Sequence, residues 1–511
     1  MSEPRHVEVI LEGVLQPKAH EPVARIPFHV PEGSTRVTLA YEHDAGHILD
    51  LGLQDPRGGP FPSIEGFRGW SGGARCEAFV ALDDATPGYL AGDLPSGTWH
   101  ALLGRAHVAA PGCQYRVDVR IDVEDASDSR HPEDSAGVTP VHPTVPVPTA
   151  PAATAPAPRS APIDAPWFPG DLQSHTHHSD AKGSLDDLLG EAEDQGLAYL
   201  AVTDHNTVSH HAPLARHDGT RVLGIPGMEV TSYYGHANVW GASGWVDFRL
   251  VRDADVEWMV DRAHALGGVV SINHPKTQPG CIGCDWTFAI PAGVDAMEVW
   301  QGPWWLNNWE SLARYDALLV EGRRISLVGG SDRHQQADFE RDPAILKLGS
   351  PTTWLQVETL TLPHVLAALR TGRASVSESS AGPRLRVTAG ATPTGGTVPA
   401  AQPCEVQARI VGAKGERLRW VAAEGVVRDV SIDTDDFQDV WMWPADGPFL
   451  RAEIIAEASL PTRLTEIEHA ASQTPLPYGI TPDDVRTHPW RLAISNPLYA
   501  TEGGGNEART G

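Results

Sequence analysis

The sequence predicts an α/β protein in which a central unit of alternating strands and helices lies between two β-rich units. Three patterns support this fold class. Strand and helix signals alternate between residues 170 and 380, period-two apolar stretches fill the chain before and after this region, and a proline-rich segment precedes it. Alternating strands and helices favour a parallel sheet or barrel, whereas period-two stretches between turn residues favour a β-sandwich.

Length and composition agree with several globular units. The chain has 511 residues, and a prior of about 150 residues per domain predicts roughly two to four domains. Its hydrophobic content of 41% and charged content of 21% are ordinary for a globular protein. With 39 Lys and Arg against 66 Asp and Glu, the net charge of −27 disfavours long nucleic acids and anionic membranes as partners.

The sequence carries no signal for secretion or membrane insertion. The first residues, MSEPRHVEVILEG, lack a basic flank followed by an apolar stretch, and no run of about 18 apolar residues occurs. An odd number of cysteines, 5, favours a reducing compartment over a disulfide framework. We therefore expect a cytoplasmic protein in which Cys281 and Cys284 are ordinary loop cysteines, with a supplementary metal contact as the alternative.

The first unit, residues 1–125, is predicted to be a β-sandwich. Its alternating segments at residues 7–11, 35–39 and 115–121 are separated by Gly, Pro and Asp. Residues 126–169 are predicted to be a semi-rigid linker, because ten of the thirty residues from 140 to 169 are proline and such chain buries no core. The Gly-rich residues 501–511 are predicted to be a disordered tail.

The central unit, residues 170–380, begins with a recognisable helix start. Ser184 and Asp187 have the spacing of a capping box. Further helices are expected at residues 256–265 and 305–320, and strands at 197–203, 269–273, 296–300 and 325–328. Residues 381–500 are predicted to be a C-terminal β-rich addition. The apolar residues expected on the face of the first helix are Leu185, Leu188, Leu189 and Ala192.

Polar residues follow the predicted strands. The carboxyl ends of these strands meet at one edge of a parallel sheet or barrel, so the polar residues are expected to lie close together. Imidazoles and carboxylates together favour Zn²⁺, Mn²⁺ or Fe²⁺. Asp332 and His334 are two residues apart in extended chain and therefore face the same side. The candidate metal ligands at these strand ends are His175, Asp180, His205, Glu229, His236, His274, Asp332 and His334.

Six motifs in this order resemble the PHP (polymerase and histidinol phosphatase) family, and within it the CehA/McbA-like branch of carbaryl-type carbamate hydrolases. They are Asp-Leu-x-x-His with Asp five residues later, Thr-Asp-His-Asn, Gly-Met-Glu, Gly-His, Asn-His-Pro and Gly-Gly-Ser-Asp-Arg-His. The resemblance covers about residues 167–380 and implies a distorted (β/α)7 TIM-like barrel with a trinuclear metal site. The implied ligand sets are His175, Glu229 and Asp332; Glu229, His236 and His274; and Asp180, His205 and His334.

The chain departs from the family pattern at Gln173, which stands where the first histidine of a His-x-His pair is expected. A glutamine offers only a weak amide oxygen, so the first metal is expected to be loosely held or absent. Two or three divalent ions are therefore predicted. His177 and His178 are candidates for contact with the substrate or for support of the ligands.

Hydrolysis by metal-activated water is the predicted reaction, because such a site needs no protein nucleophile. Lys276 and Arg333 adjoin proposed ligands and are the predicted cationic contacts for a small anionic phosphate mono- or diester. The alternatives are a carboxylic ester or carbamate hydrolase, an exonuclease acting on short oligonucleotides, and a non-catalytic binding protein with a degenerate barrel. A neutral ester would be favoured by an apolar mouth.

Overall fold

The structure is a computed structural model that describes residues 5–17, 21–124, 162–217, 219–335 and 346–501. These residues form a mixed α/β protein rich in strands, as the alternating patterns predict. Most of the predicted linker and all of residues 502–511 lie outside the described ranges. No helix within those ranges is long and apolar enough to cross a membrane.

The N-terminal strands form two four-stranded antiparallel sheets, one of them in the order first, eighth, third and sixth strand. Both sheets contribute to one core, in which Val37, Leu51 and Trp99 are fully buried. This is the arrangement of a β-sandwich. The strands are β1 (Arg5–Leu15), β2 (Val23–Val30), β3 (Ser34–His43), β4 (Ile48–Gln54), β5 (Phe67–Gly72), β6 (Glu77–Ala81), β7 (Gly97–His107) and β8 (Cys113–Val123).

The central region has the predicted alternation of strands and helices. The capping box is present, since Ser184 Oγ accepts a hydrogen bond from Asp187 N at 3.1 Å and Asp187 Oδ2 accepts one from Ser184 N at 2.9 Å. The elements are β9 (Trp167–Asp171), α1 (Leu185–Asp194), β10 (Tyr199–Val202), α2 (His211–Arg216), β11 (Leu223–Ser232), β12 (Gly235–Trp240), α3 (Asp253–Ala265), β13 (Val269–Ile272), β14 (Ala296–Gln301), α4 (Asn308–Val320), β15 (Ser326–Gly330), β16 (Thr352–Gln356), α5 (Leu362–Thr371) and β17 (Ala374–Ser377).

The central strands lie in the order β15-β14-β13-β12-β11-β10-β9-β16-β17. β12 runs antiparallel to both neighbours, and β16 runs antiparallel to β9, so the sheet is not the all-parallel sheet of a regular barrel. Among the described residues no sheet closes. β9 and β15 meet only beyond their ends, through the isolated bridge between Ser174 and Arg333 and the hydrogen bond from Asp332 N to Gln173 O at 2.9 Å.

The linker prediction is wrong at its carboxyl end. β9 begins at Trp167, inside the range 126–169, and pairs with β10 and β16. Pro169 lies within this strand, and its carbonyl accepts a hydrogen bond from Ala198 N at 2.7 Å. A proline can accept a hydrogen bond in a strand but cannot donate one, so proline-rich composition does not by itself mark the end of the linker, and it placed this boundary too late.

The C-terminal region is less separate than the prediction of a β-rich addition implies. β26 (Arg491–Ser495) pairs with both β17 and β25 (Phe449–Ile455), so the sheet of the central region continues into this one. Two helices, α6 (Leu460–Gln473) and α7 (Pro482–Thr487), interrupt the strands and were not predicted. The elements are β18 (Arg384–Ala389), β19 (Thr392–Pro393), β20 (Thr397–Pro399), β21 (Cys404–Val411), β22 (Arg417–Ala422), β23 (Gly425–Ser431), β24 (Asp436–Trp443), β25 (Phe449–Ile455), α6 (Leu460–Gln473), a 3-10 turn (Pro477–Gly479), α7 (Pro482–Thr487), β26 (Arg491–Ser495) and β27 (Leu498–Thr501).

Candidate metal centre

The candidate ligands come together at one edge of the main sheet, where β9, β10, β13 and β15 end and β11 turns into β12. Three groups have potential ligand atoms within 4.8 Å of one another. They agree with the ligand sets implied by the family resemblance, except that His175 stands in the third group in place of Asp180. The groups are His175, Glu229 and Asp332; Glu229, His236 and His274; and His175, His205 and His334.

Glu229 is the centre of this cluster. Its carboxylate is completely buried, and imidazole nitrogens of four histidines surround it. The distances to the Glu229 oxygens are 3.0 Å for His205, 3.3 Å for His236, and 3.5 Å for both His175 and His274. A carboxylate with this position is suited to bridge two cations.

The third group is formed by His205 and His334, whose Nε2 atoms are 3.1 Å apart. Asp180 Oδ1 lies 3.5 Å from the first of these nitrogens and 3.4 Å from the second, so the predicted ligand is beside the group. The opposite ring nitrogens are held by the protein, since His205 Nδ1 is 2.6 Å from Thr231 Oγ1 and His334 Nδ1 is 2.8 Å from Asp332 O. Such contacts orient imidazoles for coordination through Nε2.

Electrostatics show that the cluster has more negative charge than its surroundings neutralise. Burial alone would lower the pKa of His205, but Asp180 and Glu229 outweigh it and raise this pKa to about 9. Burial is outweighed in the same way at His334, where Asp332 and Asp180 raise the pKa to about 10. Without cations, protons on imidazoles therefore balance the carboxylates. Divalent ions would displace these protons, so the residues present fit metal ions.

One buried nitrogen supports the same conclusion. His236 Nε2 is buried and has no hydrogen-bond partner within the described part of the chain. An imidazole nitrogen without a partner is costly in the interior, and coordination to a cation satisfies it.

The structure places the two predicted cationic contacts elsewhere. Lys276 Nζ is buried and donates to Gln301 Oε1 at 2.7 Å and to Asn308 Oδ1 at 2.9 Å. Arg333 is also buried, and its guanidinium contacts Glu191 of α1. The chain is not extended at this point, because Asp332 has a φ of 57°, so strict alternation of side chains does not apply. Both cationic groups thus contact protein atoms, and a contact with the substrate remains a prediction.

His177 and His178 are near the cluster but belong to none of the three groups. His177 Nδ1 lies 3.0 Å from Gly183 O, and His178 Nδ1 lies 2.7 Å from Ser209 Oγ. The same hydroxyl accepts a hydrogen bond from Gly88 N of the N-terminal sandwich at 3.1 Å. His178 therefore takes part in the contact between the sandwich and the loops of the site.

Gln173 lies at its predicted place but presents its amide nitrogen. Gln173 Nε2 donates to Glu229 Oε1 at 3.0 Å and to Asp332 Oδ1 at 3.2 Å. Two further amides, which the prediction did not include, also donate to these carboxylates: Asn273 to Glu229 at 2.8 Å and Gln301 to Asp332 at 2.9 Å. Asn273 directly follows β13 and Gln301 ends β14, so the strand-end pattern contained a signal for both.

The N-terminal sandwich holds the loops that carry two ligands. Arg75 donates to the carbonyl oxygens of His177 and Ser179, the latter at 3.0 Å, just before Asp180 in the chain. Thr207 Oγ1, in the loop after His205, donates to Gly88 O at 2.9 Å. No local sequence pattern predicts contacts between residues more than one hundred positions apart.

The prediction that Cys281 and Cys284 are ordinary loop cysteines is wrong, because the structure joins them in a disulfide with a Cα–Cα distance of 5.6 Å. Within this loop, Gln278 Nε2 lies 3.0 Å from His274 Nδ1 and 3.5 Å from Cys284 O. The loop with the disulfide thus also contacts a candidate ligand. This disulfide closes only a short loop, because the two cysteines are three residues apart. It is therefore compatible with an odd number of cysteines, which argues only against a framework of several disulfides.

Comparison with known proteins gives structural neighbours only. No family model and no curated protein matches the chain. A two-domain protein from Bacteroides vulgatus containing a predicted PHP-like metal-dependent phosphoesterase is 17% identical, with a TM-score of 0.34, covering 59% of this chain and 95% of that one. A proposed metal-dependent phosphoesterase from Bifidobacterium adolescentis is 14% identical, with a TM-score of 0.22, covering 32% and 87%.

A further neighbour is an amidohydrolase from Chromobacterium violaceum with bound sulfate and no metal. It is 15% identical, with a TM-score of 0.24, and the match covers 33% of this chain and 88% of that one. All three identities and TM-scores are low, so the site is interpreted from its own residues. The ordered motifs of the sequence come together in one cluster of imidazoles and carboxylates.

Proposed function

We propose that the protein is a metal-dependent hydrolase that cleaves small phosphate mono- or diesters. The observation that carries this proposal is the position of Glu229, whose buried carboxylate lies within 3.5 Å of imidazole nitrogens from four histidines. A buried carboxylate with imidazole nitrogens around it offers the oxygen and nitrogen ligands that a divalent cation takes in proteins. Imidazole and carboxylate ligands favour Zn²⁺, Mn²⁺ or Fe²⁺ over Mg²⁺ or Ca²⁺.

The residues of the chain prepare such a site by offering two sets of ligands and by orienting two of the rings. Glu229, His236 and His274 would hold one cation, and His205, His334 and Asp180 another. Bound cations would supply Lewis acidity, which lowers the pKa of water and stabilises charge on the oxygen of an ester. Protein contacts to His205 Nδ1 and His334 Nδ1 keep both rings in a fixed orientation. In this proposal the strands form the distorted (β/α)7 barrel of the family.

One observation favours a second candidate, a carboxylic ester or carbamate hydrolase. Lys276 and Arg333 were the cationic contacts expected for a phosphate. Both side chains are buried and donate hydrogen bonds to acceptors of the protein itself. The positive charge that attracts an anionic ester must then come from the cations of the site. A neutral ester does not need those two side chains.

Hydrolysis of a chromogenic panel by the metal-loaded full-length protein tests the proposal. We expect release of nitrophenol from bis-nitrophenyl phosphate or nitrophenyl phosphate, and none above background from nitrophenyl acetate. The opposite preference would support the second candidate. Activity on none of the three would favour a binding protein.

Variants show whether the observed activity belongs to the cluster. His274→Ala and His205→Ala should each lower kcat at least about a thousandfold, because each removes a ligand of one of the two cations. His264→Ala is the matched control, since this histidine lies at the end of α3 and contacts Asp295 at 2.8 Å. Full activity in both ligand variants would exclude a metal mechanism.

A further inference from the structure

Three amide groups surround the two carboxylates of the first ligand group. Gln173 Nε2 lies between them, 3.0 Å from Glu229 Oε1 and 3.2 Å from Asp332 Oδ1. Asn273 Nδ2 donates to Glu229 Oε1 at 2.8 Å, and Gln301 Nε2 donates to Asp332 Oδ2 at 2.9 Å. We call Gln173, Asn273 and Gln301 the amide clamp.

The neighbours of two of these amides fix which end faces the carboxylates. Gln301 Oε1 accepts a hydrogen bond from Lys276 Nζ at 2.7 Å, and an ammonium group can only donate. The nitrogen of Gln301 must therefore face Asp332. Asn273 Oδ1 accepts from the backbone nitrogen of Asn238 at 3.1 Å, so the nitrogen of Asn273 must face Glu229.

The orientation of Gln173 follows from its two partners. Both are carboxylate oxygens, which only accept hydrogen bonds when ionised. An amide oxygen at 3.0 and 3.2 Å from them would be repelled, whereas the amide nitrogen donates one hydrogen to each. Gln173 thus joins Glu229 to Asp332 with the two N–H bonds of a single group. An amide nitrogen in this state has no lone pair to offer a cation.

We propose that the amide clamp replaces the first of the three metal ions implied by the family resemblance, so that the centre holds two. One ion would bind to Glu229, His236 and His274, and the other to His205, His334 and Asp180. This inference rests on the proposed metal centre and deepens it. The clamp ties Glu229 to Asp332 where a third cation would otherwise be needed to hold two buried carboxylates together.

In the competing arrangement the side-chain amide of Gln173 is flipped, so that Oε1 in place of Nε2 faces the carboxylates and coordinates a cation. Gln173 Oε1 is buried and has no hydrogen-bond partner within the described residues, so it is the atom that would coordinate. This alternative predicts three ions and makes Gln173 a ligand. The number of ions per chain therefore separates the two arrangements.

The test is the metal content of the full-length protein, measured by inductively coupled plasma mass spectrometry after loading with Mn²⁺ and desalting. We expect two ions per chain in the wild type and in Gln173→Met, which has a similar shape and neither donates nor accepts. Gln173→His restores the histidine of the family pattern and should raise the content to three. His264→Ala should keep the wild-type content.

Three ions in the wild type, with one lost in Gln173→Met, would overturn the inference and make Gln173 a ligand. Two ions in both the wild type and a folded Gln173→His would also overturn it, because the residue at position 173 would then not decide whether a third ion binds. Should the variants not fold, anomalous diffraction from wild-type crystals counts the ions directly. Two peaks support the clamp, and a third between Glu229 and Asp332 contradicts it.

The result is independent of the proposed reaction. A protein that contains two ions and cleaves no ester of the panel would keep the inference and reject the proposed function. A protein that contains three ions and cleaves phosphate esters would support the proposed function and reject the inference about the amide clamp.

Discussion

The Nε2 atoms of His205 and His334 face each other at 3.1 Å, although the two residues are 129 positions apart in the sequence. Asp180 lies within 3.5 Å of both nitrogens. The raised pKa values of both rings favour a proton on each, which would place two hydrogens in this short gap. A cation bound by both nitrogens would remove the conflict, and this gives the first prediction.

Removal of metal should lower the stability of the protein. A ligand that binds only the folded state contributes about 4 kcal/mol when its free concentration is roughly a thousand times its Kd. We therefore expect a chelator to lower Tm in differential scanning calorimetry, and excess Mn²⁺ or Zn²⁺ to restore it. In His334→Ala the shift should be smaller, because one binding group has lost a nitrogen. An unchanged Tm with chelator would contradict the prediction.

Substitution of Lys276 separates a structural role from contact with the substrate. Lys276→Met leaves Gln301 Oε1 without its donor, whereas Asn308 Oδ1 still accepts from Gln301 N at 2.9 Å, and an unpaired buried acceptor costs about 1–3 kcal/mol. We expect a lower free energy of unfolding in urea and a lower kcat, because Gln301 is no longer held against Asp332. The KM for a phosphate ester should stay within about twofold.

Lys414→Met, on an exposed turn, is the control for loss of a positive charge. If Lys276→Met instead raised KM at least tenfold without changing the free energy of unfolding, Lys276 would be a direct contact of the substrate.

The N-terminal sandwich should affect metal binding through Arg75. Arg75→Ala removes the hydrogen bonds to His177 O and Ser179 O, so the loop that ends at Asp180 loses its support. Loss of groups that orient metal ligands commonly costs about 10- to 100-fold in metal affinity. We expect this loss for one of the bound ions, measured by competition with a chromophoric chelator.

The control for Arg75 is Arg116→Ala on β8 of the same sandwich, where the guanidinium pairs with Glu12 and Asp118 at 2.7 Å. This ion pair is partly exposed and is expected to contribute little. Equal metal affinity in Arg75→Ala and the wild type would show that the sandwich does not support the ligand loop.

Stability should fall in acid because of a buried ion network that joins the central helices to the C-terminal strands. Arg451 contacts both Asp316 of α4 and Glu453 of β25 at 2.7 Å. Burial alone would raise the pKa of Glu453, but Arg491 and Arg451 outweigh it and lower this pKa to about 2. A carboxyl whose pKa is depressed on folding stabilises the protein above its unfolded pKa, near 4.5, and this contribution is lost as the pH falls toward 2.

A shift of this size corresponds to roughly 3 kcal/mol. We expect the free energy of unfolding to fall between about pH 4.5 and 2, and Glu453→Gln to be less stable at pH 7 and to show a shallower dependence on pH in this range. Glu466→Gln on the exposed face of α6 is the control. Parallel pH profiles for the wild type and Glu453→Gln would show that this carboxylate does not contribute.

Local sequence patterns predicted several features well. Ser184 and Asp187 form the capping box because both partners lie within one turn of the same helix. Helix α3 was predicted from residue 256 and begins at Asp253, and strand β13 was predicted as 269–273 and ends at Ile272. These elements are decided by neighbours along the chain, so periodicity and caps suffice to find them.

Strand-end reasoning also found the candidate ligands but not the direction of every side chain. It identified Glu229 and the histidines around it, because polar residues at the ends of neighbouring buried strands meet at one edge. The same reasoning placed Lys276 and Arg333 in the site because each is close in sequence to a candidate ligand. The structure instead joins Arg333 to Glu191 of α1 and Lys276 to Gln301 and Asn308, contacts that adjacency in sequence does not reveal.

The sequence by itself determined the alternation of strands and helices in the central region and most of the groups able to bind metal, because these depend on residue type and on spacing along the chain. Only the tertiary structure decided that Gln173 donates to two carboxylates, that Arg75 supports the loop before Asp180, and that β26 extends the central sheet through β17. Each of these relationships joins residues that are far apart in sequence. Their distances and directions depend on packing that no local pattern contains.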